Sequence, residues 1–171
     1  MKTRKIILIA LFCGLCYAGA NIKIAGSIAF DSTPAFLCAM LMGGLPGAVA
    51  GALGHLFSAL LSGFPLTLPL HLVIAAEMGL ICLVTGVLVK RSGWPIWLAA
   101  IVALVLNGVA APAILIVWPG MGLSVALAMF LPLLLASAAN AALAAVLAYL
   151  LKKPYSLITA AQQQKRQNET I

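Results

Sequence analysis

Charged residues are scarce in this sequence. They make up 8% of its 171 residues, and only three of them are acidic, whereas 64% of the residues are hydrophobic. A soluble domain needs more polar surface than this to cover its core. One transmembrane helix takes about 20 mainly apolar residues, so the chain holds roughly five to seven of them. The composition therefore excludes a soluble fold and predicts a single membrane domain.

Motifs of nucleotide and metal chemistry are also missing. The sequence contains no G-x-x-x-x-G-K-[ST] loop for nucleotide phosphates and no H-E-x-x-H motif for zinc. Cys13 and Cys16 form a C-x-x-C pair, but no second pair and no ligating histidine lies near it. Cys38 and Cys82 lie inside apolar runs, where cysteine acts as a small apolar residue. These absences argue against P-loop nucleotide hydrolysis and against a metal site, and no cofactor is expected.

Basic residues outnumber acidic ones and give a net charge of +7. They do not form one patch, as a nucleic-acid site would require. Nine of the ten fall into three groups along the chain, and only Lys23 lies elsewhere. Positive charges collect in the cytoplasmic segments of membrane proteins, so the groups indicate orientation, and no nucleic-acid partner is expected. The groups are Lys2, Arg4 and Lys5; Lys90 and Arg91; and Lys152, Lys153, Lys165 and Arg166.

Residues 6–20 form the first apolar run, which has two possible interpretations. A basic start and the cleavage-like Ala18-Gly19-Ala20 fit a secretory signal peptide. Removing the run would leave five helices and place the new N-terminus outside. Retaining it gives an even number of helices and keeps the basic clusters on one side. We therefore predict that this run is the first transmembrane helix.

Proline and glycine residues divide the remaining apolar sequence into five further helices. Pro34, Pro69 and Pro95 stand at predicted helix starts. Pro112 and Pro132 fall inside helices, where kinks often shape cavities. The predicted fold is an all-α bundle of six transmembrane helices with both termini in the cytoplasm. The predicted helices are 6–21, 34–43, 47–62, 69–90, 95–118 and 122–151, in a membrane domain of residues 1–153 followed by a polar cytoplasmic tail, 154–171.

Ionisable side chains inside a membrane cost about 2.5–3.5 kcal/mol each on insertion scales, so they face protein or a water-filled cavity. Glu77 lies about 12 Å below the predicted outer end of its helix, and His71 lies near that end. His55 lies about 10 Å below the outer end of the preceding helix. Together with Asp31 in the first outer loop, they predict a polar site in the outer half of the bundle.

These polar residues have other possible roles. Glu77 and a histidine would also suit a structural pair between helices, and a metalloenzyme site is a further alternative. Asn107 lies among alanines and is expected to hydrogen-bond between helices or to form a pocket floor. Asn140 lies nearer the cytoplasm and is assigned to helix packing.

The outer loop, residues 22–33, mixes apolar with polar residues, which suggests a segment that folds back over the bundle. Ser32 or Thr33 before Pro34 is a normal start for a helix. Capping by either hydroxyl leaves Asp31 available for another role.

Three stretches resemble the substrate-binding (S) components of energy-coupling factor (ECF) transporters, which import vitamins and their precursors in prokaryotes. These are the small-residue helix 1 running into Ile22-Lys23-Ile24, the Phe-Asp-Ser-Thr-Pro-Ala-Phe segment at 30–36, and residues 47–68. The resemblance covers nearly the whole hydrophobic chain. It implies a six-helix protein of the prokaryotic plasma membrane with a substrate site under its first outer loop.

The resemblance also implies partners. In that family an Ala-x-x-x-Ala motif on helix 1 docks on a transmembrane coupling (T) subunit, and two ATPase subunits supply the energy. The matching positions here are Ala10, Gly14 and Ala18, with glycine in place of the central alanine. The remaining partners are a vitamin-like small molecule and the lipid bilayer.

Residues 30–34 and 62–71 look most like the family members assigned to α-ribazole, a nucleoside precursor of cobalamin. Carboxylates accept hydrogen bonds from ribose hydroxyls, and aromatic side chains provide surface for a flat base. The alternative function is a stand-alone intramembrane enzyme or assembly factor that uses Glu77 and the histidines. The predicted ligand contacts are Phe30, Asp31, Ser32, Thr33, His55, Phe64, His71, Glu77, Asn107 and Trp118.

Overall fold

The computed structural model describes residues 2–25 and 28–169, which form six α-helices and one short antiparallel β-hairpin. The predicted all-α bundle of six helices is therefore confirmed, with the hairpin as a small addition in the first outer loop. The elements are α1 (Lys2–Ala20), β1 (Lys23–Ala25), β2 (Ile28–Ala29), α2 (Ser32–Met42), α3 (Gly44–Leu61), α4 (Leu68–Lys90), α5 (Ile96–Val117) and α6 (Leu123–Glu169).

Five of the described helices are long and apolar enough to cross a membrane, and α2 is the exception with 11 residues. At 1.5 Å per residue α2 is about 17 Å long, which is shorter than a hydrocarbon core of about 30 Å. Its residues are apolar on every side, and Phe36, Cys38 and Met40 are almost completely buried. A helix that is hydrophobic all round belongs inside a bundle. α2 accordingly packs against α1, α3, α4 and α6 as a short central helix.

Glycines along one face of α3 let three neighbouring helices approach it closely. A Cβ atom at Gly47 would lie 2.5 Å from the Cβ of Ala39 on α2. At Gly51 it would lie 2.7 Å from the sulfur of Cys82 on α4, and at Gly54 it would crowd α1. Small residues at helix interfaces are the usual means of close packing in membranes. These contacts fix α3 between the central α2, α4 and α1.

The sixth helix extends past its predicted end at residue 151. α6 runs without interruption to Glu169, although Pro132 and Pro154 lie inside it. Its 47 residues make it about 70 Å long, more than twice a bilayer core. The polar sequence after Pro154 contains alanine, glutamine, lysine and arginine, which are good helix formers. The high helix propensity of these residues explains why the segment after Pro154 continues α6.

Two connections close the outer end of the bundle. In the first outer loop, the N–H of Phe30 donates to the carbonyl of Ile22 at 3.2 Å. The same residue approaches α1 so closely that a Cβ at Gly19 would lie 2.5 Å from the carbonyl oxygen of Phe30. In the α3–α4 connection, Phe64 and Thr67 have positive φ angles of 51° and 92°. Such angles are rare outside glycine and tend to occur at functional sites.

Candidate functional site

A cavity of about 90 Å³ lies in the bundle beneath the first outer loop. The outer loop and α2 form one side, and α3, α4, α5, α6 and the α3–α4 connection form the others. Its polar lining residues are Asp31, Ser32, His55, His71, Asn107 and Asn140, and its apolar ones are Ala29, Leu66, Ile74, Met78, Ala111, Leu115, Met129, Leu133 and Ala136. A mostly apolar wall with a few convergent polar groups is typical of a small-molecule site.

Helix periodicity explains which apolar residues reach the cavity. On α4, His71, Ile74 and Met78 follow the i, i+3, i+7 spacing of one helix face. The α6 lining residues repeat in the same way from Met129 to Asn140. Sequence reasoning missed these apolar residues because it considered polar and aromatic side chains. On α4, the helical spacing from His71 is the sequence signal that identifies Ile74 and Met78.

The two histidines of the chain meet in the cavity wall. Nε2 of His55 on α3 lies 3.1 Å from Nδ1 of His71 on α4, which is a hydrogen-bond distance. Phe64 packs its ring edgewise against His71, with centroids 5.8 Å apart. His71 is 1% exposed, and its Nε2 atom has no hydrogen-bond partner among the described residues. One polar atom of this pair is thus unsatisfied beside the cavity.

Asp31 lines the cavity from the outer loop and is buried. Burial raises the pKa of its carboxyl to about 7, because a charge is poorly solvated there. Hydrogen bonds from the backbone N–H groups of Asp31 and Ser32 and from the hydroxyls of Ser58 and Ser32 partly counteract this shift. The serines on α3 and α2 therefore hold the carboxyl at the cavity wall, and Asp31 makes no side-chain bond that caps α2.

Asn140 on α6 ties the outer loop and α2 to the rest of the bundle. Its amide nitrogen donates to the carbonyl oxygens of Ala29 and Ala136 at 3.0 and 2.9 Å. Its side-chain oxygen accepts from the backbone N–H of Thr33 at 2.8 Å and from the Thr33 hydroxyl at 2.7 Å. The Asn140 side chain thus makes the packing bonds expected of it, but it lies against the outer loop and in the cavity lining rather than nearer the cytoplasm.

Asn107 reaches the cavity from α5. Its amide nitrogen donates to the hydroxyl oxygen of Ser137 at 2.9 Å, and that hydroxyl donates to the carbonyl oxygen of Leu133 at 2.6 Å. The α5–α6 contact thus holds the Asn107 side chain in place. Both expectations for this residue, an interhelical bond and a place in the pocket lining, are met by its position.

The structure divides the predicted ligand contacts into two groups. Asp31, Ser32, His55, His71 and Asn107 line the cavity. The remaining predicted contacts, which lie outside its lining, are Phe30, Thr33, Phe64, Glu77 and Trp118.

Glu77 lies on α4 at the flank of the face that lines the cavity. Both of its carboxylate oxygens are buried and have no hydrogen-bond partner among the described residues. The alternative in which Glu77 pairs with a histidine is therefore not found, because His71 bonds to His55 instead.

A second concave surface lies outside the bundle, between α1 and α3. This groove has a volume of about 640 Å³ and is lined by Ile6, Ile9, Ala10, Cys13, Gly14, Tyr17, Val49, Leu53 and Phe57. Ala10 and Gly14 of the predicted docking motif lie in its floor, and Ala18 is exposed beyond it. A Cβ atom at Gly14 would meet no described atom within 4 Å. Glycine at this position is thus not required by packing within the chain.

Residues 1–157 match the family described as ECF-type riboflavin transporter, S component. The chain belongs to this family. The match confirms the resemblance inferred from the sequence and extends over all of the transmembrane helices. The chain shows no significant similarity to a curated protein or to a solved structure.

Membership of the family gives the chain its general role. An S component is the substrate-binding membrane subunit of an ECF importer for a vitamin and is not itself a catalyst. The chain is accordingly a multi-pass membrane protein with five long apolar helices among its described residues. The family also implies a small-molecule vitamin ligand and assembly with T and ATPase subunits.

Proposed function

We propose that this chain captures α-ribazole for import through an ECF complex in the plasma membrane of a prokaryote. The observation that carries the proposal is the amphipathic cavity under the outer loop of an S-component chain. α-Ribazole joins a dimethylated benzimidazole to a ribose, and riboflavin joins a dimethylated three-ring system to a five-carbon polyol. The family is named for riboflavin, and α-ribazole shares with riboflavin a flat apolar part and a hydroxylated part.

The cavity lining matches both parts of such a ligand. Met78, Leu115 and Leu133 offer apolar surface to a flat ring. Asp31 and Asn107 carry oxygen acceptors that suit ribose hydroxyls. Hydrogen bonds to charged groups contribute about 1.5–3 kcal/mol each, so Asp31 has the largest expected share of the polar contribution above pH 7, where its carboxyl is ionised.

Size favours the nucleoside over the larger vitamin. The cavity of about 90 Å³ is smaller than the roughly 300–1,000 Å³ of typical ligand pockets, so binding must widen it. The outer loop and the strained α3–α4 connection border the cavity and are the segments best placed to move. A two-ring nucleoside requires less widening than a three-ring vitamin.

Direct binding to the purified protein in lipid nanodiscs tests the substrate. Isothermal titration calorimetry should give an affinity for α-ribazole about tenfold or more above that for riboflavin. Dimethylbenzimidazole alone should bind more weakly than α-ribazole, because it cannot reach Asp31 through ribose hydroxyls. Riboflavin has its own fluorescence, and quenching of that fluorescence provides an independent measurement. Tighter binding of riboflavin than of α-ribazole would contradict the proposal.

The proposed complex includes a T subunit and two ATPase subunits, with the groove between α1 and α3 as the docking surface for the T subunit. Ala10 and Gly14 let a partner helix approach closely, as small residues do in membrane interfaces. Co-purification of these subunits with the tagged chain supports the importer, whereas a chain isolated alone and active by itself supports the enzyme alternative.

Reporter fusions after Lys153 should be cytoplasmic and fusions at Gly120 external.

A further inference from the structure

The unsatisfied nitrogen of His71 is the feature of the cavity that most needs a ligand. His71 is almost completely buried, lines the cavity, and has no described partner for Nε2. A buried polar atom without a hydrogen bond costs about 1–3 kcal/mol. A ligand group that bonds to Nε2 would recover this cost.

His55 decides whether that nitrogen donates or accepts. A neutral imidazole has one N–H donor and one acceptor nitrogen, and the bond made by one nitrogen fixes the role of the other. Nδ1 of His71 bonds to Nε2 of His55 at 3.1 Å. If His55 donates, Nδ1 of His71 accepts and its Nε2 carries the hydrogen. The edgewise contact with Phe64 holds the His71 ring in this orientation.

Three of the four amide hydrogens of Asn107 and Asn140 are bonded within the protein. The amide nitrogen of Asn107 donates to Ser137, and that of Asn140 donates to Ala29 and Ala136. The hydroxyl of Ser32 bonds to the Asp31 carboxyl. The described cavity wall therefore offers mostly acceptors to ligand hydroxyls. The donors left for an acceptor atom on the ligand are Nε2 of His71 and the second amide hydrogen of Asn107, and only the His71 nitrogen has no hydrogen bond at all.

We propose that His55 is a positioning residue that donates its Nε2–H to Nδ1 of His71 and so keeps Nε2 of His71 protonated. This N–H then donates to the unsubstituted ring nitrogen of a heteroaromatic ligand, which selects such a ligand over an analogue with carbon at that position. The inference rests on the proposed function for the identity of the ligand, but the tautomer of His71 does not depend on it.

Nitrogen-15 NMR of the ligand-free protein in lipid bilayers tests the tautomer. The chain has only two histidines, so the labelled spectrum is simple, and a His55→Phe variant leaves only the His71 signal. Wild type should show His71 protonated at Nε2. His55→Gln places an amide N–H where the imidazole Nε2–H stood and should preserve this tautomer, whereas His55→Phe should give a mixture. Protonation of His71 at Nδ1 in wild type would overturn the proposal.

Ligand selectivity tests the consequence. Wild type should bind dimethylbenzimidazole riboside about tenfold more tightly than the dimethylindole riboside, which has C–H in place of the ring nitrogen. His71→Phe should abolish this preference, His55→Phe should reduce it, and His55→Gln should keep it. A preference that survives His71→Phe overturns the inference. If neither riboside binds, the proposed function fails, and the tautomer measurement still decides the role of His55.

Discussion

The two sides of α3 face environments of opposite character. His55 points into the cavity and shares it with several polar side chains. On the opposite side, Val49, Leu53 and Phe57 line the groove beside α1. The only ionisable groups among the residues that line this groove are the phenol of Tyr17 and the thiol of Cys13. On one side of α3, recognition of a ligand depends on hydrogen bonds, and on the other side, recognition of a partner depends on the shape of an apolar surface.

The contrast separates two kinds of recognition. In the cavity, most polar atoms already bond within the protein, so discrimination depends on the few atoms that remain free, such as Nε2 of His71. In the groove, a partner gains from contact area and from the close approach that Ala10 and Gly14 permit. Substitutions on one side of α3 should therefore leave the function of the other side intact.

The largest expected effect comes from Gly14→Leu in the groove. A leucine fits without clashing with the described chain, because Gly14 has no neighbour within 4 Å, but it blocks the approach of a partner helix. We expect the T subunit to be lost on purification and vitamin uptake to stop, while the isolated chain binds ligand normally. Ala142→Leu on the exposed surface of α6 is the matched control and should assemble normally. Equal loss of ligand binding in Gly14→Leu would show that the two sides are not independent.

Asn140→Ala should give the next largest effect. It leaves the N–H and hydroxyl of Thr33 and the carbonyl of Ala29 without their partner. The free energy of unfolding should fall by about 3 kcal/mol, since each unsatisfied buried group costs about 1–3 kcal/mol and some rebond. Thermal denaturation in detergent measures the loss.

Asn107→Ala is the comparison for Asn140→Ala within the same cavity. Asn107 is half-buried and donates one side-chain bond, to Ser137. Its loss should cost about 1 kcal/mol of stability. Equal destabilisation by the two variants would contradict the view that Asn140 is the structural junction.

Asp31→Asn should remove a pH dependence of stability. Burial raises the pKa of Asp31 to about 7 in the folded protein, from an ordinary value of about 3.9. Between these values the folded chain keeps a proton that the unfolded chain releases, so stability falls as the pH rises through this window. The wild-type melting temperature should be lower at pH 8 than at pH 5, and the Asp31→Asn variant should show a smaller difference. An unchanged difference would mean that other groups cause the pH dependence.

The smallest effect is expected for Glu77→Gln. The sequence predicted a ligand contact here, for which this change would cost about 1.5–3 kcal/mol of binding. Because Glu77 lies outside the cavity lining, we expect the affinity to stay close to that of wild type. The melting temperature should be unchanged or higher, since glutamine keeps the shape and removes an uncompensated charge.

Melting temperature and affinity are measured on one Glu77→Gln preparation. A loss of affinity of about tenfold or more would show that Glu77 reaches the ligand once the cavity widens. The ligand site would then include Glu77 in addition to the residues that line the cavity.

The candidate site was partly predictable because polar residues in a membrane must face protein. That cost predicted from the sequence one site for Asp31, His55, His71 and Glu77, and the structure places all of them except Glu77 in the cavity lining. The cost of placing a polar side chain in the membrane does not identify its hydrogen-bond partner. The sequence therefore allowed a bond between Glu77 and a histidine, whereas in the structure His55 bonds to His71.

The sequence alone determined the membrane class, the number of helices and the family, because hydrophobic length, proline positions and the distribution of basic residues are local properties. Only the tertiary structure decided that α2 is a short central helix and that α3 has a polar and an apolar side. It also decided which polar atoms remain unsatisfied. Hydrogen-bond partners come from residues up to 111 positions apart, as in the bond between Asn140 and Ala29, and such pairs depend on how helices pack rather than on any local pattern.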